Sequence, residues 1–234
     1  MPTTFDLIVA GLIAVGHPIW DYLLWPRMLQ TIRSGRPNPR VPVYGALISQ
    51  MWLMAIVIAS VWIRADRPAS ALGFTWPNSW CLGLTGGLVV VLLALHVQQT
   101  RTLARLSAER RERLRSSNSS MIALIPHTRV EYAWFQVVSV SAGICEELIY
   151  RGFLVWAFQP WLTLWGAALL SVISFGFAHA YQGRHGAVSA GVVGAMFAAL
   201  AMLTGSIVPG MLLHALMDHL GSRAYYPILR DSQA

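Results

Sequence analysis

Long apolar runs separated by short polar connections fill most of this 234-residue chain. A helix that crosses roughly 30 Å of hydrocarbon needs about 20 apolar residues, because each residue advances the helix by about 1.5 Å. The pattern therefore predicts an all-α polytopic membrane protein of about eight transmembrane helices. The predicted spans are 5–25, 43–63, 81–98, 130–147, 150–162, 164–181, 186–204 and 206–221.

Two of these runs depart from a simple crossing helix. The run at 150–162 is short and reaches Pro160 near its end, so we expect a tilted, broken or re-entrant piece. The first run has Asp6 where a signal peptide has basic residues, which predicts a retained helix. Spans and connections use the chain from end to end, and we predict a single membrane domain over residues 1–234.

The composition agrees with a membrane protein whose main partner is the lipid bilayer. Hydrophobic residues make up 56% of the chain, charged residues 12%, and the mean hydropathy is +0.54. Soluble domains carry about 25% charged residues. The net charge of +7 comes from arginine, since the chain has no lysine. These arginines cluster between apolar runs instead of being interleaved over a folded surface, which argues against nucleic-acid binding.

The arginine clusters also predict an orientation. The first connection contains Arg27, Arg33, Arg36 and Arg40 without an acid, and the connection at 99–129 is rich in arginine as well. Cytoplasmic connections carry the excess of basic residues, so both should be cytoplasmic and the N-terminus should lie outside.

Within the basic cytoplasmic connection 99–129, residues 99–118 are expected to form a helical extension. This extension fits two environments: anionic lipid headgroups, or water as a solvated linker whose arginines only set the orientation. The sequence leaves both open.

Ionisable residues inside the apolar runs are the candidates for chemistry, because each costs at least about 2.5 kcal/mol at the centre of a span. Glu147 and Arg151 lie four residues apart and share a helix face, which predicts an ion pair. Glu146 lies about 100° away, on a face with Tyr150 and Phe153. One acid is then neutralised by structure, and Glu146 is left for chemistry.

Two further pairs have the same spacing in later runs. Phe175 and His179 are four residues apart, so the phenyl ring can pack under the imidazole. His214 and Asp218 also share a face, which suits an aspartate that orients a histidine, or two groups that hold one water or metal. His219 lies off that face and is read as a bystander.

Together these residues resemble the three motifs of the CAAX protease and bacteriocin-processing family, which includes the type II CAAX prenyl endopeptidase. The family pattern is EExxxR, FxxxH and HxxxN or HxxxD, and the resemblance covers residues 130–221. The matching residues are Glu146, Glu147 and Arg151, then Phe175 and His179, then His214 and Asp218.

The resemblance implies an eight-helix protease with a polar cavity within the bilayer of a bacterial inner (plasma) membrane. It would be an intramembrane endopeptidase that cuts a membrane-anchored or hydrophobic peptide. By similarity, Glu146 is the general base that activates a water, which His179 also holds. His214 and Asp218 complete the water site or stabilise the oxyanion. Glu147 and Arg151 are the supporting pair.

A metal and other functions are the alternatives. Glu146, His179, His214 and Asp218 could together hold zinc, but the HExxH pattern is absent and the carboxylate would have to act as both ligand and base. The metal-free glutamic mechanism is therefore favoured. A non-catalytic immunity or chaperone-like protein that binds peptide on the same scaffold is the alternative function. A proton-coupled transporter is disfavoured because the chain shows no two-half symmetry.

Overall fold

The computed structural model describes residues 1–117 and 119–230. The regular elements in these residues are helical, which confirms the predicted all-α class. In chain order they are α1 (Thr4–Ile32), α2 (Val41–Arg64), α3 (Ser79–Ala104), the short α4 (Ala108–Arg115) and α5 (Ser120–Leu124), α6 (129–162), α7 (164–178), α8 (Gly183–Thr204) and α9 (Val208–Leu229).

Five helical stretches in the described part of the chain are long and apolar enough to cross a membrane. They are Thr4–Ile32, Val41–Arg64, Ser79–Ala104, Arg129–Ala178 and Ala180–Thr204. The fourth stretch is two helices, α6 and α7, because Thr163 between them has φ 59° and ψ 171°. Helix α9 is not among the five, and it carries His214, Asp218 and His219. The described residues therefore support a polytopic membrane protein but do not confirm about eight crossings.

The predicted boundary between 130–147 and 150–162 is wrong, because both runs belong to the continuous helix α6. A wide π-helical segment, Glu147–Leu154, carries the chain through this region without a break. Pro160 stays inside the helix, and the backbone turns at Thr163 instead. The predicted helical extension at 99–118 is also divided: α3 ends at Ala104, and α4 begins after Ser107, whose side chain accepts the Arg110 N–H.

Contacts between connections define one end of the bundle, here called the Asp6 end. Asp6 near the start of α1 accepts two hydrogen bonds from the Arg67 guanidinium, at 2.9 and 2.7 Å. The connection between α2 and α3 also meets the start of α9 at this end, since the Ser206 hydroxyl donates to the Thr75 carbonyl at 2.7 Å. The starts of α1 and α9 thus lie at the same end.

The opposite end, called the Arg40 end, is held by a second set of contacts. Arg40 pairs with Glu131 at 3.3 Å, joining the connection before α2 to the first turn of α6. The Arg115 guanidinium donates to the Ile228 carbonyl at 2.8 Å, tying α4 to the last turn of α9. Successive long helices therefore run in alternating directions between the two ends.

Helix α6 forms the centre of the bundle. Its side chains Ile149, Phe153 and Leu154 are fully buried. By contrast, only 6% of the most apolar window of α3 is buried within the protein, so most of that helix presents apolar side chains outward. An apolar surface of this kind suits lipid.

Two long helices contain π-helical segments, and α7 binds the backbone of both. The segments are Leu12–Gly16 in α1 and Glu147–Leu154 in α6. The Ser174 hydroxyl donates to the Ala14 carbonyl at 2.9 Å, and the Ser171 hydroxyl donates to the Tyr150 carbonyl at 2.6 Å. Wide turns leave carbonyls less well satisfied within their own helix, and such segments are frequent at functional sites. These bonds fix α1 and α6 side by side.

Candidate active site

The middle of α6 supplies a sealed ion pair. Arg151 Nη1 lies 3.0 Å from Glu147 Oε1, and both side chains are fully buried. The second terminal nitrogen of Arg151 donates to the Gly194 carbonyl of α8 at 3.0 Å. The guanidinium also lies over the Phe175 ring, 4.4 Å from its centroid. The predicted pairing of Glu147 with Arg151 is confirmed, and it extends to α7 and α8.

His214 of α9 connects this pair to the other acids. Its Nδ1 lies 3.0 Å from Glu147 Oε1, so the ring donates this hydrogen to the buried carboxylate. Its Nε2 lies 3.6 Å from Glu146 Oε2 and 3.9 Å from Asp218 Oδ2. The ring is stacked on Phe197, with centroids 5.1 Å apart. One imidazole therefore lies between three carboxylates from two helices.

His179 stands at the end of α7, on the Phe175 side of the site. Its ring centroid is 4.6 Å from that of Phe175, as the four-residue spacing predicts, and its Nδ1 donates to the Phe175 carbonyl at 2.9 Å. A neutral ring with hydrogen on Nδ1 has an unprotonated Nε2 that can accept a hydrogen bond. His179 interacts electrostatically with His214 and Asp218, while none of the described ion pairs joins it to Glu146.

Burial divides these residues into two groups. Glu147 and Arg151 are sealed from solvent, whereas 19% of the Glu146 side chain and 30% of the Asp218 side chain are exposed. Glu146 also lies near the midpoint of α6, about 25 Å along the axis from its first residue. The accessible acids are thus those beside the outer nitrogen of His214.

Sequence reasoning missed a second histidine and aspartate beside the site. His17 Nε2 lies 3.2 Å from Asp21 Oδ2 on α1, and His17 Nδ1 lies 3.3 Å from the Tyr150 hydroxyl of α6. Gln50 of α2 donates to Asp21 at 2.6 Å. His17 interacts electrostatically with Glu146. The sequence does contain a signal for this pair. His17 and Asp21 are four residues apart inside the first apolar run, the same spacing as in the later pairs.

Two further features follow from tertiary packing. A Cβ added to Gly210 of α9 would lie 2.9 Å from Glu147 Oε2, so only glycine admits the carboxylate there. His219, the predicted bystander, hydrogen-bonds Gln136 of α6 through its Nδ1. It therefore joins α9 to α6 away from the acids.

Zinc bound by Glu146, His179, His214 and Asp218 is the alternative that the sequence leaves. Among residues 1–117 and 119–230, no group of three or more His, Cys, Asp or Glu side chains is placed to hold a metal ion. The metal-free mechanism therefore stays a prediction from the sequence, which treatment with a zinc chelator tests.

Residues 128–220 match the model of the family described as type II CAAX prenyl endopeptidase Rce1-like. This segment is similar to that family. The resemblance drawn from the motifs is confirmed, and the matched segment contains Glu146, His179, His214 and Asp218. No curated protein and no solved structure matches the chain significantly.

The apolar helices and the similarity of residues 128–220 to the CAAX proteases together indicate an integral membrane protein. The match begins at the first turn of α6 and leaves α1 to α5 outside it. His17 and Asp21 therefore lie outside the matched segment, although their side chains lie beside it.

Proposed function

We propose that this protein is an intramembrane endopeptidase that hydrolyses a peptide bond in a membrane-anchored or hydrophobic peptide, using a water activated by Glu146. The observation that carries the proposal is the position of His214, within 3.9 Å of Glu146, Glu147 and Asp218. A structural ion pair alone needs no partly exposed acids around it. Here an accessible base stands beside a fixed imidazole.

In this proposal Glu146 removes one proton from water as the oxygen attacks the peptide carbonyl carbon. The carbonyl oxygen becomes an oxyanion. A protonated His214 uses Nδ1–H for Glu147 and has Nε2–H left for that oxyanion, in a cavity where such bonds are strong. Collapse breaks the C–N bond, and the proton on Glu146 passes to the leaving nitrogen.

His179 and Asp218 have the accessory roles. His179 Nε2 accepts a hydrogen bond from the attacking water, since its Nδ1 hydrogen is held by the Phe175 carbonyl. An ionised Asp218 cannot donate to an oxyanion, so it orients His214 or a water instead. Glu147 and Arg151 hold the imidazole in place from the sealed side.

We also propose the orientation and membrane. Arginine-rich connections lie at the Arg40 end, which favours a cytoplasmic position for this end and an outside position for the N-terminus. A bacterial inner membrane and a hydrated cavity around Glu146 complete the proposal. A substrate anchored in lipid can then reach the site sideways, without leaving the bilayer.

The test is peptide cleavage by purified protein in detergent or lipid. Two fluorogenic peptides of equal sequence are compared, one with a farnesylated cysteine and one unmodified. Glu146→Gln keeps the size of the side chain but removes the base, and the cleavage rate should fall by about 100-fold or more. Glu112→Gln, an exposed acid on α4, is the matched control and should cleave like the wild type.

Two outcomes discriminate the alternatives. Equal cleavage by wild type and Glu146→Gln would reject the glutamate mechanism. Peptide binding without cleavage by the wild type would favour the non-catalytic peptide-binding protein. Because the proposed mechanism has no metal, treatment with a zinc chelator should leave the cleavage rate unchanged, and loss restored by added zinc would contradict it.

A further inference from the structure

The first helix carries a histidine and aspartate pair that the family match does not include. His17 and Asp21 are 3.2 Å apart, and 15% and 12% of their side chains are exposed. Gln50 donates to the second carboxylate oxygen of Asp21 at 2.6 Å. An acid with both oxygens occupied by neighbours from two helices is a fixed group, which suits a positioning role better than a loose surface charge.

This pair reaches the matched segment 128–220 through Tyr150. His17 Nδ1 lies 3.3 Å from the Tyr150 hydroxyl, and only 2% of Tyr150 is exposed. Tyr150 is four residues after Glu146 on α6 and interacts electrostatically with it and with Asp21. Its ring is perpendicular to that of Phe175, with centroids 5.0 Å apart. The hydroxyl therefore joins α1 to the helix that carries the proposed base.

The chemistry of the donors fixes the direction of these bonds. A carboxylate can only accept, so His17 donates Nε2–H to Asp21. A neutral ring then has a lone pair on Nδ1, and the Tyr150 hydroxyl must donate to it. The hydroxyl hydrogen is thereby turned toward α1, and the lone pairs of the oxygen remain as acceptors.

We propose that Asp21 and His17 are positioning residues that hold the Tyr150 hydroxyl as a second acceptor for the attacking water. This inference rests on the proposed hydrolysis. Water has two hydrogens: one moves to Glu146 as the new C–O bond forms, and the other is shared between His179 Nε2 and the Tyr150 oxygen. Tyr150 keeps its own proton throughout, and the proton on Glu146 ends on the leaving nitrogen.

The fold supports this position for the pair. The π-helical segment Leu12–Gly16 ends immediately before His17, and its Ala14 carbonyl is bound by Ser174 of α7. The same helix binds the Tyr150 carbonyl through Ser171. Helix α7 therefore holds the backbones of His17 and Tyr150 in register with each other. On this reading the site is completed by a helix outside the matched domain.

The kinetic test separates positioning from stability. His17→Ala and Tyr150→Phe should each lower kcat by on the order of 10- to 100-fold with little change in KM, because the water is misoriented while peptide binding is intact. The double variant should be no worse than either single variant. His17→Gln, which can donate to Asp21 and accept from Tyr150, should recover part of kcat.

Tyr44→Phe is the matched control, because this buried hydroxyl donates to the Leu124 carbonyl at 2.6 Å away from the acids. It should cost similar stability and leave kcat unchanged. Wild-type kcat in His17→Ala and Tyr150→Phe, together with lost cleavage in Glu146→Gln, would overturn this inference and leave the proposed function standing.

A second measurement does not depend on cleavage. The ring titration of His17 is followed by NMR in detergent micelles, where His17 faces Asp21 on its own helix and Tyr150, Glu146 and His179 from α6 and α7. The midpoint should move in Glu146→Gln and in Tyr150→Phe, and stay in place in Glu112→Gln. An unmoved midpoint in both site variants overturns the inference, whether or not any peptide is cut.

Discussion

At the scale of single residues, Glu147 is the group on which the site depends. Its Oε1 accepts hydrogen bonds from both Arg151 and His214, each at 3.0 Å. The carboxylate is fully buried, so these two donors replace the water that Oε1 would otherwise bind, while Oε2 has no hydrogen-bond partner among the described residues. Because Glu147 has this structural role, Glu146 is the acid that is left for the proposed chemistry.

Removing the charge partner of Glu147 should strongly destabilise the folded protein. We expect Arg151→Met to lower the free energy of unfolding by about 3–5 kcal/mol, because it leaves a buried carboxylate without its counter-charge. Chemical unfolding in detergent micelles, followed by tryptophan fluorescence, measures the change.

The chain contains a matched control for that variant. Arg113 and Glu109 of α4 form a pair at the same four-residue spacing, but their side chains are 76% and 73% exposed. Arg113→Met should change the free energy of unfolding by less than about 0.5 kcal/mol. Similar losses in both arginine variants would show that burial does not govern the pair of Glu147 and Arg151.

At the scale of helices, close contact between α6 and α9 sets the geometry of the acids. A Cβ at Gly143 of α6 would lie 2.6 Å from the Met211 carbonyl, and one at Gly210 would lie 2.9 Å from Glu147. Two glycines thus bring the helix bearing the acids against the helix bearing His214. No longer side chain would permit this approach without moving one backbone.

The variant Gly210→Ala tests this contact. The added methyl group should displace the Glu147 carboxylate and lower the free energy of unfolding by about 1–3 kcal/mol, with loss of cleavage as His214 follows. Gly221→Ala on the same helix meets no atom within 4 Å and should stabilise the protein, because alanine is the better helix former. Equal stability of the two alanine variants would count against the contact.

The sequence predicts the helices better than it predicts their continuity. Hydropathy located the apolar runs, because burial in lipid depends on composition averaged over many residues. Hydropathy wrongly divides α6 between 147 and 150, because the charged residues lower the local hydropathy there. In the structure a π-helical segment continues the helix through this region. No local pattern distinguishes a wide helical turn from a break.

In the candidate site, the sequence predicts contacts within one helix but not contacts between helices. Contacts within one helix, such as Glu147 with Arg151 and Phe175 with His179, follow from four-residue spacing and were predicted. The bond from His214 to Glu147 joins residues 67 positions apart and depends on the packing of α9 against α6. His17 has a motif-like spacing but reaches the site only because α7 places α1 beside α6.

At the scale of the whole molecule, the two ends differ in their charged contacts. At the Asp6 end, hydrogen bonding to Asp6 raises the pKa of Arg67. The Arg67 guanidinium also lies 4.6 Å from the centroid of the Trp156 ring on α6. One residue of the second connection thus fastens the start of α1 to the far half of α6.

The orientation of the bundle in the membrane can be tested by labelling one exposed residue at each end. Ser70, in the connection at the Asp6 end, and Ser116, after α4 at the Arg40 end, are both exposed. In intact cells a membrane-impermeant maleimide should label Ser70→Cys and should label Ser116→Cys only after the membrane is opened, since arginine-rich connections stay in the cytoplasm. The native Cys81 and Cys145 are fully buried and should add little background. Labelling of Ser116→Cys in intact cells, with protection of Ser70→Cys, would reverse the proposed orientation and place the N-terminus inside.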